Sequence, residues 1–238
     1  GNVTIPFTVT DNDGLESLAA NEVITVTPVN DLPIAMPSTS SGAEDTYITV
    51  DLSGTDVDGN VVSVTVPTLP TDGVLYLAGG IIPVVAGTPI TAAQAATLVF
   101  TPTANFNGNV TIPFTVTDND GLESLAANEV ITVTPVNDPP IATPSTSSGA
   151  EDTNITVDLS GTDVDGNVVS VTVPTLPTDG VLYLADGTTV VVAGTAITAA
   201  QAATLVFTPT ANFNGDVTIP FTVTDDDGLT SSAANEVI

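Results

Sequence analysis

Apolar and polar residues alternate with a period of two along most of the chain. In VTIPFTVT (110–117), Val110, Ile112, Phe114 and Val116 fall on one face and Thr or Pro on the other. That spacing predicts a strand with one buried face. VITVTPV (130–136), ITVDL (48–52) and VVSVTV (61–66) alternate or run β-branched in the same way. GVLYL (73–77), a short stretch near Ile82–Val85 and TLVFT (97–101) bring the expected number of strands to seven or eight per unit. Thr on the outward positions supplies β propensity without charge. One helical signal interrupts the pattern, TAAQAAT (91–97), one or two turns opened by Thr91.

The pattern repeats. GNVTIPFTVTDNDGLESLAANEVITVTPVND begins at Gly1 and recurs at Gly108, and its opening returns at Gly215 as GDVTIPFTVTDDDGL, a period of 107 residues. Residues 1–107 and 108–214 differ at eight positions: Leu32/Pro139, Met36/Thr143, Tyr47/Asn154, Gly79/Asp186, Ile81/Thr188, Ile82/Thr189, Pro83/Val190 and Pro89/Ala196. A period this long describes a string of domains, since solenoid units repeat every 20–50 residues or so. Prolines flank Val-Asn-Asp in TVTPVNDLPIA (25–35) and TVTPVNDPPIA (132–142); they break any ladder and stiffen a linker. The expected division is therefore 1–31 as the last strands of a preceding repeat, 32–138 as a whole domain, and 139–238 as a second domain lacking its last strand end. On this reading the chain is a window of a longer array. The expected fold class is all-β, with tandem immunoglobulin-like Greek-key sandwiches.

Composition narrows the function. The chain has 28 Asp+Glu and no Lys, Arg, His or Cys, for a net charge of -28; about 30 Lys+Arg would be ordinary at this length. Neutralising nucleic-acid phosphates or anionic lipid requires the missing cations. Triads built on His or Cys and Schiff-base chemistry are excluded, so catalysis could only be carboxylate or metal chemistry. A glycosidase pair of carboxylates duplicated in tandem is a poor fit, and an enzyme is not expected. Hydrophobic residues make up 42%, enough for an aliphatic core. No apolar run reaches the 18 or so residues that a membrane-spanning helix needs. With no cation in the sequence, the carboxylates must be solvated, capped by N–H groups, or neutralised by bound metal.

The acids gather in loops: Glu44 and Asp45 in SGAEDT, Asp56 and Asp58 in GTDVDGN, Asp118 and Asp120 in VTDNDG, and Asn30-Asp31 and Asn137-Asp138 in the linkers. Asp-x-Asp-Gly presents alternate carboxylates to one point, and Gly permits the turn, as a hard cation such as Ca²⁺ requires. The spacing is not that of an EF-hand. Asx-Gly pairs also form ordinary turns. Counting strands from both ends puts the Glu44 loop at the C-terminal pole of its domain and the Asp56 and Asp118 loops at the N-terminal pole. A complete joint would therefore collect Glu44, Asp45, Asn137, Asp138, Asp163, Asp165, Asp225 and Asp227. That many like charges at one point call for a cation.

TPVNDPP resembles the DxNDNxP linker of cadherins, and TDVDGN resembles their DxDxGxN loop. AEDT, DGVLYL, TAxxAATLVFTPTANFNGNVTIPFTVTDNDG and PVNDxP are similar to the cadherin-like tandem repeats of giant bacterial surface proteins, across the whole chain. The resemblance implies that Glu44 matches the first-loop Glu, and Asp118 or Asp225 the Asp ending the penultimate strand. It further implies a Ca²⁺-stiffened extracellular stalk of an adhesin or biofilm protein. The cadherin LDRE motif is replaced by TANFNG (103–108), where Asn105 and Asn107 offer only neutral oxygens. Expected partners are neighbouring repeats and, in a filament or sheath, other copies of the chain. The alternative is a glycan-binding module, although Tyr76, Tyr183 and Phe106 are sparse for a sugar platform.

Overall fold

The computed structural model covers residues 1–238 and divides into two compact units, Gly1–Thr134 and Pro135–Ile238. The first unit opens with a hairpin of β1 (Asn2–Phe7) and β2 (Ala20–Thr25), which pair only with each other. There follow β3 (Ile34–Met36), β4 (Thr39–Ala43), β5 (Ile48–Val50), β6 (Ser53–Thr55), β7 (Val61–Thr65), β8 (Gly73–Tyr76), β9 (Ile90–Thr91), α1 (Ala92–Ala95), β10 (Leu98–Pro102), β11 (Gly108–Asp118) and β12 (Ala127–Thr134). Two sheets face each other, β4-β12-β11-β7-β9 and β5-β10-β8, with a small β3-β6 pair beside them. All strand pairs are antiparallel except β4 with β12.

The period of two explains the core. Val110, Ile112, Phe114 and Val116 of β11 are buried, and they pack with Leu98 and Phe100 of β10, Leu75, Leu52 and Ile131. Each such side chain contributes about 1.5–3 kcal/mol by leaving water. Val3, Ile5 and Phe7 occupy the same positions one repeat earlier but remain about half exposed, because no second sheet covers that hairpin. The helical signal is a single turn. Thr91 caps α1 by accepting from the Gln94 N–H, while the Gln94 side chain reaches back to the Thr91 N–H, a reciprocal capping box.

The stretch near Ile82–Val85 is not a strand. It makes one bridge, Tyr76 to Pro83, and two bonds, from Leu77 N–H to the Ile82 carbonyl and from Val84 N–H to the Leu75 carbonyl. The ladder stops because the chain is crossing between sheets: the Gly87 N–H already reaches the Val66 carbonyl beyond β7.

The second unit repeats this plan: β13 (Ile141–Thr143), β14 (Ile155–Val157), β15 (Ser160–Thr162), β16 (Val168–Thr172), β17 (Gly180–Tyr183), β18 (Ala196–Thr198), α2 (Ala199–Ala202), β19 (Leu205–Pro209), β20 (Thr218–Asp225) and β21 (Ala234–Val237). Its core centres on Phe207 and Phe221.

One glycine in each unit is fixed by close approach. A Cβ at Gly73 would stand 2.5 Å from the Thr101 carbonyl oxygen and 2.7 Å from Cε2 of Phe100. Gly73→Ala is expected to destabilise the first unit by roughly 2 kcal/mol through overpacking, read as a lowered midpoint in denaturant unfolding.

Candidate metal centre

The hydroxyl-rich strands end in carboxylate loops, and in each unit the structure sorts the acids by role. In the first unit, β11 ends at Asp118, which is 2% exposed. Its Oδ1 accepts from the Asp120 N–H (2.8 Å) and the Leu122 N–H (2.9 Å), closing the DNDG turn. Its Oδ2 accepts from the Asn30 side-chain amide at 2.8 Å. Only the amide nitrogen can face a carboxylate, so the Asn30 carbonyl oxygen points elsewhere. Burial alone would raise the Asp118 carboxyl, but the donors from Asn30, Leu122 and Asp120 outweigh it and hold the group below its usual 3.8.

Asp56 has the opposite environment. Both of its oxygens are buried and neither accepts a hydrogen bond. Burial pushes its carboxyl above 3.8, joined by the charges of Asp58 and Asp118, and together they outweigh the nearby Asp58 and Val57 N–H groups, which act in the opposite direction without forming a well-aligned bond. Asp58 instead receives the Asp31 N–H, at 3.3 and 3.5 Å from its two oxygens. Gly59 lies tight against the pair: a Cβ there would stand 2.6 Å from Asp56 Oδ2 and would also strike Asn119 Oδ1. Asn119 Oδ1 in turn accepts from the Asn60 N–H at 2.7 Å.

The second unit builds the same set. Asp225 is 1% exposed and accepts from the Asp227 and Leu229 N–H groups and from the Asn137 amide. Its carboxyl is likewise held low by Asn137 and the turn N–H groups in spite of burial. Asp163 matches Asp56: both oxygens are buried without donors, and burial and then Asp165 raise its carboxyl. Asp165 receives the Asp138 N–H at 3.1 Å. One difference adds charge. Asp226 replaces Asn119 and keeps its bond, accepting from the Asn167 N–H at 2.8 Å.

Within each unit the predicted residues fall in particular places. In the first unit Asn30, Asp31, Asp56, Asp58 and Asp118 meet at one pole. Asp120 is exposed, and its carboxylate accepts only from the Asn119 amide, at 3.2 Å. Glu44 and Asp45 lie at the other end of β11, whose 11 residues span roughly 35 Å. The Glu44 N–H bonds to the carbonyl of Thr134, the last residue of β12, and Asp45 accepts from the Asn105 N–H. In the second unit Asn137, Asp138, Asp163, Asp165 and Asp225 meet at the corresponding pole, with Asp227 supplying a backbone N–H.

Sequence reasoning that placed the acids in loops missed one pair. Glu129 and Glu236 lie within strands and are 0% exposed. Glu129 accepts from the Ser38 N–H (2.7 Å) and from the hydroxyls of Ser38 and Ser40; Glu236 does the same with Ser145 and Ser147. The signal was present in ANEVITVT, where the alternation that buries Ile131 and Val133 also turns Glu129 inward.

Facing sheets, a capped helical turn and a parallel pairing of the first long edge strand with the last define an immunoglobulin-like sandwich. The chain belongs to the bacterial Ig domain family, whose sequence pattern matches residues 30–134 and 137–238. It is 27% identical over 201 residues to integrin beta-like protein E of Dictyostelium discoideum, a match covering 77% of this chain and a tenth of that protein's length. Among solved structures it is similar to the D00-D0 domain of intimin, with 14% identity, 87% of this chain and 100% of that one covered, and a TM-score of 0.33. Drosophila N-cadherin EC1-3 gives 14% identity, 99% and 76% coverage, and a TM-score of 0.28. The sialic acid binding region of a Streptococcus sanguinis adhesin gives 13% identity, 88% and 77% coverage, and a TM-score of 0.31.

Asp226 provides a direct check on the role of charge. If the pole takes Ca²⁺, as proposed below, Asp226→Asn should weaken that binding severalfold, because affinity at such sites follows ligand charge count. The fold should be unchanged, since Asn119 makes the same bond in the first unit. Isothermal titration of the two chains would read the difference.

Proposed function

We propose that the chain is a structural repeat of a bacterial surface stalk or fibre, of the adhesin kind, in which Ca²⁺ pins each linker to the sandwich that follows it. The observation that carries this reading is the pair of carboxylates, Asp56 and Asp163, whose four oxygens are buried without a donor. A buried carboxylate with neither cation nor donor is costly, and this chain has no Lys, Arg or His to supply one. Ca²⁺ takes carboxylate and amide carbonyl oxygens at about 2.3–2.6 Å in flexible geometry, and Asp56, Asp58, the Asn30 carbonyl and their counterparts in the second unit are donors of that kind. Asn30 and Asp31 already hydrogen-bond to Asp118 and Asp58, so a cation here would fasten the linker as well as neutralise the acids. Glu44, Asp45, Asp120 and Asp227 are proposed as further, weaker contributors. No helix is long and apolar enough to cross a membrane.

Small-angle scattering with and without chelator tests the proposal. The maximum dimension is expected to change and the distance distribution to broaden when Ca²⁺ is removed; identical curves would overturn it. Melting against pH, in chelator, gives a second reading. Asp118 and Asp225, with lowered carboxyls, stabilise the fold above pH 3.8 and lose that contribution as pH falls through their folded values. Asp56 and Asp163, with raised carboxyls, favour the fold at low pH, and that contribution disappears as pH rises through their folded values. Saturating Ca²⁺ should abolish this second loss, because it supplies the missing counter-charge.

A further inference from the structure

The second unit carries a modification signal that the matching strand of the first unit lacks. Three asparagines head an Asn-x-Thr triplet, Asn2, Asn109 and Asn154, the acceptor pattern for glycosyl transfer to an amide nitrogen. Asn154 is one of the few positions at which the repeats differ, and the first unit has Tyr47 in its place. Asn154 also has an acid two residues before it, Asp152 in EDTNIT (151–156). Neither Gly1 before Asn2 nor Asn107 and Gly108 before Asn109 is acidic. The counterpart of Asn109 in the next repeat is Asp216, which abolishes that triplet there.

The fold presents the Asn154 triplet openly. Asp152, with a φ of 60°, turns the chain, the Thr153 hydroxyl closes the turn on the Ala150 carbonyl at 2.6 Å, and β14 begins at Ile155. β14 is the outer strand of β14-β19-β17, so one of its edges is unpaired. Asn154 and Thr156 flank the buried Ile155 and are both exposed, which puts amide and hydroxyl on the same outward side. Asn154 Oδ1 accepts from the Thr208 hydroxyl at 2.9 Å, and its Nδ2 makes no hydrogen bond. The fold does not need that bond: with Tyr47 in the first unit the matching Thr101 hydroxyl is buried without a partner, and β5 forms all the same. Asn109 is placed differently. It lies in β11, inside the five-stranded sheet, where its Oδ1 accepts from Thr132 on the paired strand β12.

We infer that Asn154 is an acceptor for an N-linked glycan, taken from a sugar activated at C1 by a diphosphate ester. In the transfer Asn154 Nδ2 attacks the anomeric carbon. The Nδ2–C1 bond forms, the C1–O bond to the diphosphate breaks, the amide gives up one proton, and the diphosphate ester leaves with the electron pair. An amide nitrogen is a weak nucleophile because its lone pair is shared with the carbonyl, so a transferase must hold the acceptor by its neighbours. Thr156 offers a hydroxyl on the same side. Asp152 offers a carboxylate that an arginine of the enzyme can pair with; only its Oδ1 is engaged, by the Asn212 N–H at 2.9 Å. A glycan here covers the open edge of β14, and an uncovered edge is a template for pairing with other chains. Neither the carboxylate pole nor Ca²⁺ takes part, so the acceptor stands apart from the calcium-pinned stalk.

The folded 238-residue chain is the substrate in two assays, one with a bacterial oligosaccharyltransferase and a lipid-diphosphate-linked oligosaccharide, the other with a soluble N-glycosyltransferase and UDP-glucose. The chain has no Lys or Arg, so peptides are cut at Asp and Glu and weighed by mass spectrometry. Asn154 should be modified in at least one assay, with occupancy roughly tenfold above that of Asn2 and Asn109. The added mass, a preassembled oligosaccharide or a single hexose, identifies the donor. Thr156→Val should abolish transfer without changing the melting temperature. Tyr47→Asn, which gives the first unit the same six residues, should create a second acceptor there. An Asn154 left bare in both assays overturns the inference, as do equal occupancy at Asn109, full transfer to Thr156→Val, or no second acceptor in Tyr47→Asn. The scattering response to Ca²⁺ should be the same in Thr156→Val and the wild type, so failure here and failure of the stalk reading are distinguishable.

Discussion

Glu129→Ala is expected to destabilise the first unit by about 3 kcal/mol, the largest loss from any single acid in the chain. The side chain is fully buried and carries no counter-ion, yet it receives a backbone N–H and two hydroxyls from Ser38 and Ser40. Removing it leaves a void where the fully buried carboxyl stood and strips three donors at the start of β4, on exposed Ser38 and half-buried Ser40, of their acceptor; a donor left unpaired costs about 1–3 kcal/mol where water cannot reach it. The loss is also topological. Ser38 and Ser40 belong to the segment TSSGA and its approach, whose Ser and Gly have little strand propensity. β4 is held to β12 by the parallel ladder and by this carboxylate. Glu129→Gln retains an acceptor oxygen and should lose less than half as much. The measurement is two-transition chemical unfolding, with Glu236→Ala as the matched change in the second unit; a loss under about 1 kcal/mol would show that the carboxylate is dispensable.

Asp56→Asn should move stability in opposite directions depending on the ion. In chelator the melting temperature of the first unit rises, because the substitution removes a buried, donor-free negative charge beside Asp58 and Asp118. In millimolar Ca²⁺ it falls below wild type on the proposed reading, because a charged ligand would be lost and the ion-linked stabilisation shrinks with affinity. Affinity at that pole should drop by tenfold or more. Asp118→Asn serves as the contrast. It disturbs the turn closed by the Asp120 and Leu122 N–H groups and the tie to Asn30, so it should lower stability with or without the ion. A crossing of the Asp56→Asn and wild-type melting curves with Ca²⁺ is the signature; a shift of the same sign in both conditions would sink the assignment.

Much of the sandwich was legible because its strands alternate cleanly. Val110, Ile112, Phe114 and Val116 were expected on one face and all are buried. The capped turn at Thr91 followed from local chemistry alone. β4 was illegible, since nothing in STSSG alternates and its partner lies about 90 residues away. Glu129 was hidden for a related reason: an acid reads as surface until the alternation is trusted over its charge. At the candidate centre, loop spacing brought Asp56, Asp58 and Asp118 to one pole but could not distinguish their surroundings. Asp56 and Asp118 look equivalent in sequence, and only the distribution of donors distinguishes a turn organiser from a carboxylate left bare.

The parallel ladder between β4 and β12 has a mechanical consequence. It joins the strand near the start of the domain to the strand at its end, over the five pairs from Thr39↔Val130 to Ala43↔Thr134. Tension along the chain enters one of these strands and leaves by the other, so it pulls them past each other and loads the ladder in shear. The bonds must then yield together, whereas a hairpin such as β1-β2 pulled from its open end can unzip one bond at a time. Forced unfolding is governed by the unfolding barrier, and shear raises that barrier without requiring greater equilibrium stability. Resistance to pulling is thereby set by the direction of one strand pairing and calls for no added equilibrium stability.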